Sequence, residues 1–274
     1  MFLLRLSARQ WSRSAIMPDL LRERTSSTGA SGTKPAGSTD ERTAAQTVQR
    51  MFDEIAPRYD LANHVLSMNI DKLWWRRTAR TFAHILALPN ARVLDLCAGT
   101  GDMSVALHAA SAEKGSRPAI YALDFSHRML QHGMTKYAAK QIQPVESDAL
   151  QLPLPDKAVD LVVSAFGFRN LANYDAGLRE IFRVLKPQGE VGILDFGEPD
   201  GLMGQLYRFY FRRVLPKIGT LISGVRGPYE YLPASVQKFP SPQQMLARMQ
   251  AAGFHDVSWT PYTFGIAGLY RGKK

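Results

Sequence analysis

The sequence is poor in cysteine and contains no long apolar run. Cys97 is the only cysteine among the 274 residues, so no intrachain disulfide can form, and we expect neither a cysteine-based zinc site nor any other metal. No run of eighteen apolar residues occurs, and the sequence therefore predicts no membrane-spanning helix. A composition of 45% hydrophobic and 21% charged residues excludes a wholly disordered, collagen-like or coiled-coil chain.

Positive charge is in excess along the whole chain. The formal net charge is +10, and the first fifty residues carry eight basic and four acidic side chains, so most of the excess lies beyond them. A basic balance is compatible with nucleic acid, phosphate or an acidic membrane surface as partner. Because the excess is not concentrated in one segment, it is weak evidence for nucleic acid, and we expect no nucleic-acid partner.

The N-terminal residues have the composition of a targeting segment. Residues 1–24 are rich in arginine and contain no acidic side chain before Asp19, which is typical of an organellar transit peptide. The alternative interpretation is an irregular N-terminus with translation starting at Met17. The residues alone leave both interpretations open.

A linker is predicted between this segment and the folded domain. Residues 25–39 have one charge and no large apolar side chain, so they cannot bury a core and should be flexible. We therefore predict a disordered extension and linker at 1–42 and one folded domain at 43–274. A chain that begins at Asp40 is expected to fold and to remain active.

Strands and helices alternate along the domain. Residues 71–88 have the spacing of an amphipathic helix, with candidate buried positions at Leu73, Trp74, Phe82, Ile85 and Leu86. Strands are predicted at 91–97, 118–124, up to Val145, 159–166, 190–196, 255–260 and 263–270, and further helices at 103–113, 127–139 (capped by Ser126), 175–185 and 242–252. This alternation predicts an α/β fold with a doubly wound, mostly parallel seven-stranded sheet.

A glycine loop follows the first strand. The sequence there runs from Asp95 through Gly99, Thr100 and Gly101 to Asp102, and a helix begins directly after it. Two glycines allow a sharp turn and a close approach of the backbone to a ligand, and the helix N-terminus favours negative charge. Because a dinucleotide-binding fold uses the same place, the loop alone does not identify the ligand.

The charges around the loop indicate which ligand it holds. Ser104 stands where the dinucleotide pattern has its third glycine, and Asp95 and Asp102 would repel a pyrophosphate but attract an α-ammonium group. Asp124, 23 residues after Gly101 at the end of the second strand, can accept both hydroxyls of a ribose. The set favours S-adenosylmethionine over NAD. The alternative is that Asp95 and Asp102 only cap turns.

A third position follows the third strand. The carboxylate of Asp148 can receive the adenine amino group while Ala149 and Leu150 contact the ring, although Asp148 alone is equally consistent with a turn. The predicted cofactor-binding residues are Asp95, Gly99, Thr100, Gly101, Asp124, Asp148 and Ala149.

Four segments of the chain have a distinctive sequence: FDEIAPRYD at 52–60, LDLCAGTGD at 94–102, FGFRN at 166–170 and YLPASVQKFP at 231–240. On these motifs the chain from about residue 46 to 272 resembles the quinone C-methyltransferase family, a group of class I S-adenosylmethionine-dependent methyltransferases. The resemblance implies a Rossmann-like fold with an N-terminal helical lid and an inserted helical cap at about 201–239.

The resemblance also implies a reaction, C-methylation of a prenylated hydroquinone by S-adenosylmethionine. The wording of SMNIDKLWWRR at 67–77 is closer to naphthoquinol enzymes, which favours demethylmenaquinol as substrate and the cytoplasmic face of the inner membrane as location. The N-terminal arginines favour the alternative, 2-methoxy-6-polyprenyl-1,4-benzoquinol in the mitochondrial matrix. A homo-oligomer is compatible with either.

The expected chemistry needs a group that handles a phenolic proton. A phenol has a pKa of about 10, so a general base or a group that stabilises phenolate should contribute. Arg169 can stabilise phenolate but cannot act as a base, and its alternative role is a surface ion pair. Asn170 can hold a hydroxyl group. The candidate catalytic residues are Arg169, Asn170, Tyr59 and His64, with Asp195 and Glu198 as further possible bases.

The predicted cap combines apolar and basic side chains. At helical spacing, Leu202, Leu206, Phe209 and Tyr210 share one face, and Val214 follows a turn later. The basic residues of the same stretch are Arg208, Arg212, Arg213 and Lys217. This pattern predicts an interfacial helix that contacts an anionic membrane and the prenyl chain, with packing into the core as the alternative.

Other functions are less consistent with the residues. Amino-methylating RNA enzymes carry an Asn/Asp-Pro-Pro-aromatic motif after the fourth strand, where this chain has SAFGFRN, and Cys97 lies in the glycine loop rather than at a nucleophile position. An NAD-dependent oxidoreductase is disfavoured by Ser104 and the loop carboxylates. A non-catalytic scaffold that retains the cofactor fold is the remaining alternative.

Overall fold

A computed structural model of the chain describes residues 32–60, 67, 69–199, 201, 204–205, 209–210, 213 and 227–274. Its helices are α1 Glu41–Ile55, α2 Ile70–Thr81, α3 Ala83–Leu86, α4 Asp102–Ala112, α5 His127–Lys140, α6 Tyr174–Val184, α7 Gly227–Lys238 and α8 Pro242–Ala251. Its strands are β1 Arg92–Leu96, β2 Ala119–Asp124, β3 Gln143–Glu146, β4 Val159–Ala165, β5 Leu185–Phe196, β6 His255–Tyr262 and β7 Ala267–Lys273. Short 3-10 helices occur at Ala56–Arg58, Phe168–Asn170 and Thr263–Gly265.

The strands form one seven-stranded sheet in the order β3-β2-β1-β4-β5-β7-β6. The first five run parallel, and β7 is antiparallel to both β5 and β6. Because the chain moves outward from β1 through β2 to β3 and then crosses to β4 on the other side of β1, the strand order reverses between β1 and β4. The predicted fold class is confirmed, and this reversal is where such sheets bind ligands.

The sheet is buried on both faces. In β1, Leu94 and Leu96 belong to one apolar cluster together with residues of α6 and α8, whereas Val93 belongs to a second cluster with residues of α2, α3, α4 and α5. Burial on both sides explains why the strands of the sequence are continuous apolar runs rather than alternating ones.

The predicted helix at 71–88 is two helices that separate at Phe82. Trp74, Phe82, Ile85 and Leu86 are buried as predicted. Leu73 is 62% exposed, so its predicted burial is wrong. Leu73 lies on the helix face that also presents Arg76, Arg77 and Arg80 to solvent, while the adjacent face with Trp74 packs inward.

The last two predicted strands are present, but their first and last residues differ from the prediction. β7 begins at Ala267, four residues later than predicted, because a 3-10 turn follows Tyr262. Within that turn Phe264 has φ 57° and is 77% exposed, although its side chain is apolar. The predicted cap is present: the hydroxyl of Ser126 accepts the backbone N–H of Met129 at the start of α5, at 3.1 Å.

The predicted boundary at 42/43 is wrong, because it falls inside α1. The carboxylate of Asp40 caps this helix and accepts the Thr43 N–H at 2.8 Å. Thr33, in the predicted linker, is 2% exposed and donates its backbone N–H to the Leu171 carbonyl at 2.8 Å. Hydrogen bonds rather than large apolar side chains hold this segment, which is why composition did not indicate its packing.

The lid and the cap are described in part. α1 contacts α5 and α7 and lines the cavity described below, and α7 lies within the predicted cap. His64 lies outside the described residues, as do the cap positions Leu202, Leu206, Arg208, Arg212, Val214 and Lys217. None of the helices in the described ranges has the length and hydropathy that crossing a bilayer requires.

Candidate active site

A cavity of about 270 Å³ opens at the carboxyl ends of β1, β2 and β4. One end is bordered by the glycine loop and by carboxylates, and the other by aromatic side chains of α2 and β5 and by Phe166, which follows β4. The sequence-predicted residues on its wall are Asp95, Gly99, Thr100, Asp124, Asp148, Ala149, Arg169, Asn170 and Tyr59. The structure therefore brings together most of the predicted cofactor and catalytic residues at one place.

The glycine loop requires its glycines for two reasons. Gly99 and Gly101 have φ values of 57° and 91°, which L side chains rarely adopt. A Cβ atom at Gly101 would lie 2.3 Å from the ring of Tyr137, which packs beneath the loop. The Tyr137 hydroxyl donates to the Gly99 carbonyl at 2.8 Å, so the tyrosine holds the loop in this conformation.

Asp124 connects the end of β2 to the glycine loop. Its carboxylate accepts the Gly99 N–H and the Ser126 N–H, both at 2.9 Å. Each carboxylate oxygen has a second acceptor position, so these bonds leave capacity for ribose hydroxyls. Burial raises the pKa of Asp124 to about 6.

Asp95 is the most unusual group on the cavity wall. It is fully buried, its Oδ2 accepts the Ser104 hydroxyl at 2.5 Å, and its Oδ1 has no hydrogen-bond partner among the described residues. Burial, reinforced by the nearby charge of Asp124, raises the pKa of Asp95 to about 7. A buried carboxylate oxygen without a partner is costly unless a ligand donates to it, and an ammonium group meets that need. Ser104 thus orients Asp95.

Asp102 has a different role from the one predicted. The Lys136 ammonium group lies 2.7 Å from both Asp102 Oδ1 and Asp60 Oδ2. Asp60 also accepts the Thr100 hydroxyl at 2.5 Å. Lys136 partly offsets the charge of Asp102, and the electrostatic preference for a cation rests mainly on Asp95 and Asp124. Lys136 and Asp60 fasten the lid to the glycine loop, a link that sequence spacing did not indicate.

Asp148 lies in a turn at the cavity wall. Its Oδ1 accepts the Leu150 N–H at 2.8 Å, which forms a turn after β3, and the side chain also borders the cavity. Ala149 is buried beside it. The turn places an exposed carboxylate and an apolar surface together, as an adenine ring would require.

Arg169 forms a buried ion pair, not a surface one. Its Nη1 lies 2.9 Å from Asp195 Oδ1, its backbone N–H donates to Asp195 Oδ2 at 3.0 Å, and it also donates to the Phe166 carbonyl. Burial alone would lower the pKa of Arg169, but the Asp195 charge raises it, so the guanidinium stays charged. Asp195 is the counter-ion of Arg169, accepts a third N–H from Phe196 and is not among the residues that line the cavity, which disfavours it as a general base.

Asn170 is held by a residue that sequence analysis missed. The Tyr231 hydroxyl donates to Asn170 Oδ1 at 3.1 Å, which leaves the Asn170 amide Nδ2 as the group that can donate to a ligand. Tyr231 belongs to the YLPASVQKFP segment of α7 and lines the cavity. The motif indicates that this segment matters, but nothing in the sequence indicates that Tyr231 pairs with Asn170.

The remaining candidates divide between the cavity and the surface. Tyr59 borders the cavity and meets Phe52 edge to face at 6.0 Å between ring centroids. Glu198 is exposed and is not part of the cavity wall, so the structure does not bring it to the site. Asp71, which sequence analysis did not single out, is a cavity-lining carboxylate that is only 3% exposed at the start of α2.

The aromatic end of the cavity is built by four side chains. The rings of Trp74, Phe166 and Phe196 pack against one another at centroid distances of 4.5 to 6.2 Å, and Trp75 lies beside them on the wall. Arg169 lies 5.2 Å from the centre of the Phe196 ring. The aromatic side chains can stack on a planar ring, and the charged guanidinium beside them favours a negatively charged oxygen on that ring. In the part of the chain that the structure describes, no cluster of three or more side chains is suited to a metal.

The fold and the carboxylate-lined glycine loop define a class I S-adenosylmethionine-dependent methyltransferase. A solved S-adenosylmethionine-dependent methyltransferase from Thermotoga maritima, titled a possible histamine N-methyltransferase, has this fold: the TM-score is 0.58 at 17% identity, with 83% of this chain and 99% of that chain covered. A sequence model of the ubiE/COQ5 methyltransferase family matches residues 39–274, and the chain belongs to that family.

Curated relatives cover nearly the whole domain. The demethylmenaquinone methyltransferase of Deinococcus radiodurans is 46% identical over 238 residues, which is 86% of this chain and 95% of the relative. The ubiquinone/menaquinone biosynthesis C-methyltransferase UbiE of Geotalea daltonii is 41% identical, with 84% and 97% covered. S-adenosylmethionine is the co-substrate of this family. Two features of the site suit this molecule: Asp95 Oδ1, which has no hydrogen-bond partner among the described residues, and the backbone at Gly99, which lines the cavity and carries no side chain.

Proposed function

We propose that the chain transfers a methyl group from S-adenosylmethionine to a ring carbon of a prenylated hydroquinone, with demethylmenaquinol as the preferred acceptor. The observation that carries this proposal is the two-ended cavity. Its carboxylate end suits a cationic, ribose-bearing co-substrate, and its aromatic end places Arg169 beside a surface for a planar ring. A methyl transfer needs both partners in one space.

At the co-substrate end, the residues bind and orient. Asp95 holds the ammonium group, Asp124 the ribose hydroxyls, and Asp148 with Ala149 the adenine. When bound, S-adenosylmethionine supplies an electrophilic methyl group on a sulfonium centre. The two buried carboxylates favour its net positive charge and would disfavour a pyrophosphate, which is why NAD is a poorer fit.

At the acceptor end, the residues make the ring carbon a better nucleophile. A ring hydroxyl must lose its proton, and Arg169 stabilises the resulting phenolate because its guanidinium remains charged. The Nδ2 of Asn170 donates to a ring oxygen, and Tyr59 borders the same space. We assign acceptance of the proton to Asp71, the buried carboxylate of this wall, since an arginine cannot take it.

Comparison of two acceptors tests the substrate assignment. Turnover is measured with demethylmenaquinol and with 2-methoxy-6-polyprenyl-1,4-benzoquinol that carry the same prenyl tail, at saturating S-adenosylmethionine. We expect the larger kcat/KM with demethylmenaquinol, in line with the name of the Deinococcus radiodurans relative. A clear preference for the benzoquinol would assign the chain to ubiquinone synthesis instead.

A prenylated acceptor implies contact with a membrane, and we propose that the cavity mouth faces an anionic bilayer. Phe209 in the cap and Phe264 in the turn after β6 are 64% and 77% exposed, and Arg213 is exposed as well. Apolar side chains beside basic ones suit an interfacial surface. The corresponding location is the inner face of the cytoplasmic membrane, or the matrix face of the mitochondrial inner membrane.

Charge removal in the cap tests the membrane contact. Changing Arg208, Arg212 and Arg213 together to Gln should reduce binding to anionic vesicles markedly, because each basic residue near such a surface contributes about 1 kcal/mol. The matched control is Lys114, Arg117 and Lys157 changed to Gln, since these exposed residues precede β2 and β4, at the amino ends of the strands and opposite the carboxyl ends where the cavity opens. Turnover of a short-tailed soluble quinol should survive in both variants. Unchanged vesicle binding in the cap variant would assign the segment a purely structural role.

A further inference from the structure

A short N-terminal segment reaches the acceptor end of the cavity from outside the family-matched region. We call residues 32–39 the N-terminal strap; all but its last residue precede the match at 39–274. Gly32 packs so closely that a Cβ atom there would lie 2.2 Å from the Ala172 carbonyl carbon. The Thr33 N–H donates to the Leu171 carbonyl at 2.8 Å, so backbone contacts fix the strap beside residues of the cavity wall.

The Thr33 side chain begins a hydrogen-bond chain that ends at the site. Thr33 is 2% exposed, and its Oγ1 lies 2.6 Å from the Tyr231 hydroxyl oxygen. Because the Tyr231 hydroxyl donates its hydrogen bond to Asn170 Oδ1, the Thr33 hydroxyl is the donor in the contact between Thr33 and Tyr231. The chain of donors therefore runs from Thr33 through Tyr231 to Asn170.

The direction of this chain decides what Asn170 presents to a ligand. The Tyr231 hydroxyl donates to the Asn170 carbonyl oxygen, and the Thr33 hydroxyl fills the acceptor position of Tyr231 that the Asn170 amide would otherwise compete for. Asn170 Oδ1 is thereby fixed toward Tyr231 in α7. The other atom of the same amide group, Nδ2, then points away from Tyr231. Buried networks of this kind favour one arrangement only when each member is satisfied.

A second contact ties the strap to the helix that carries Tyr231. The Lys238 ammonium group donates to the Lys34 carbonyl at 3.1 Å, at the end of α7. Asp40 caps α1 directly after the strap. The strap thus lies between two helices of the lid and cap, and Thr33 is its one side chain with a hydrogen bond to a cavity-lining residue among the described contacts.

We infer that Thr33 is a positioning residue for the acceptor: it fixes Tyr231, and through it the Asn170 amide, in the orientation that holds a quinol oxygen. The inference rests on the proposed function for its kinetic consequence, but the orientation of Asn170 is a property of the chain itself. It leads to a different expectation from the one that residues before Asp40 are dispensable: a chain that begins at Asp40 lacks these contacts and should have a lower kcat/KM for the quinol.

The test compares Thr33→Val, which keeps the shape but removes the donor, with Thr33→Ser, which keeps the hydroxyl. We expect Thr33→Val to lower kcat/KM for demethylmenaquinol about three- to tenfold, as expected for loss of one buried hydrogen bond. Thr33→Ser should restore it, and the Kd for S-adenosylmethionine should not change. Thr39→Val is the matched control in the strap, because Thr39 is exposed and bonds only to neighbouring residues.

Two further measurements separate positioning from general stability. In a Tyr231→Phe background, Thr33→Val should have no added effect, because the chain is already broken. The NMR signal of the Asn170 side-chain amide, identified by its loss in Asn170→Ala, should shift in Thr33→Val and stay unchanged in Thr39→Val.

These results decide whether Thr33 positions Asn170 or not. An unshifted Asn170 amide, or equal kinetic losses in Thr33→Val and Thr33→Ser, would overturn the positioning role. If the wild-type chain methylates neither quinol, the proposed function fails, while the amide signal still decides whether Thr33 orients Asn170.

Discussion

Replacing Asp95 with asparagine should make the protein without S-adenosylmethionine more stable at pH 8 and should weaken binding of that co-substrate. Asp95 is fully buried, with one oxygen bonded to Ser104 and the other without a partner among the described residues. A neutral amide in its place removes the cost of burying a negative charge. It also removes the charge that the ligand's ammonium group needs.

The sign of the effect follows from the pKa of Asp95. Burial raises this pKa from 3.8 to about 7 in the folded protein. A group that holds its proton more tightly when folded contributes stability that is complete below its unfolded pKa and is lost as the pH rises through its folded pKa. The wild-type protein should therefore lose stability relative to Asp95→Asn between pH 4 and pH 7.

The magnitude follows from the two pKa values. Each pKa unit corresponds to about 1.4 kcal/mol, so integration between pH 5 and pH 8 gives a relative loss of about 2 to 3 kcal/mol for the wild-type protein. This difference exceeds the error of a denaturant titration. Asp124 also titrates with a raised pKa, and because its charge contributes to the raised pKa of Asp95, the measured difference includes the coupling between the two carboxylates.

Urea unfolding of both proteins at pH 5 and pH 8, without S-adenosylmethionine, measures this difference. Asp148→Asn is the control, because Asp148 is an exposed carboxylate of the same cavity and its replacement should give no such trend. A stability difference between wild type and Asp95→Asn that does not change with pH would refute the reasoning. Calorimetry should also show tighter binding of S-adenosylmethionine by the wild type as the pH rises from 6 to 8, and a smaller rise in the variant, in which only Asp124 gains charge over this range.

The remaining predictions concern binding and catalysis. Asp124→Ala should weaken S-adenosylmethionine binding at least tenfold, since loss of a charged hydrogen-bond partner costs about 1.5 to 3 kcal/mol; unchanged affinity by calorimetry would rule out the ribose contact. Arg169→Lys should lower turnover strongly with little change in that affinity, because lysine lacks the planar fork that reaches both Asp195 and a ligand oxygen; full turnover at saturating quinol would contradict it. Asp71→Asn should lower kcat about 10²- to 10⁴-fold, as for loss of a general base, and a variant with normal kcat would exclude that role.

The sheet and the glycine loop could be predicted because their determinants are local. A parallel strand buried on both faces is a short apolar run, and the loop residues follow β1 directly in the chain. Asp124 could be placed for the same reason, since the end of β2 lies beside the end of β1. The fold class and the co-substrate end of the site therefore followed from spacing and charge.

The acceptor end could not be predicted in the same way, because its contacts join distant residues. Tyr231 meets Asn170 and Thr33 across 61 and 198 positions of the chain. The position of Asp195 at the end of the fifth strand makes it a candidate base, but only the folded chain shows that its carboxylate forms an ion pair with Arg169.

Exposed apolar residues were the other source of error. Both Leu73 and Phe264 are apolar. Periodicity predicts a buried helix face for Leu73 and a strand that includes Phe264, yet both side chains lie at the surface. Periodicity indicates which residues can share a face, but it does not say which face the neighbouring elements cover.

The position of the transferred methyl group tests the central claim most directly. The protein is incubated with demethylmenaquinol and S-adenosylmethionine whose methyl carbon is isotopically labelled, and the product is examined by mass spectrometry and NMR. We predict one labelled methyl group with the chemical shift of a ring-carbon substituent. A methyl group on a quinol oxygen, or no transfer to the quinol at all, would contradict the account.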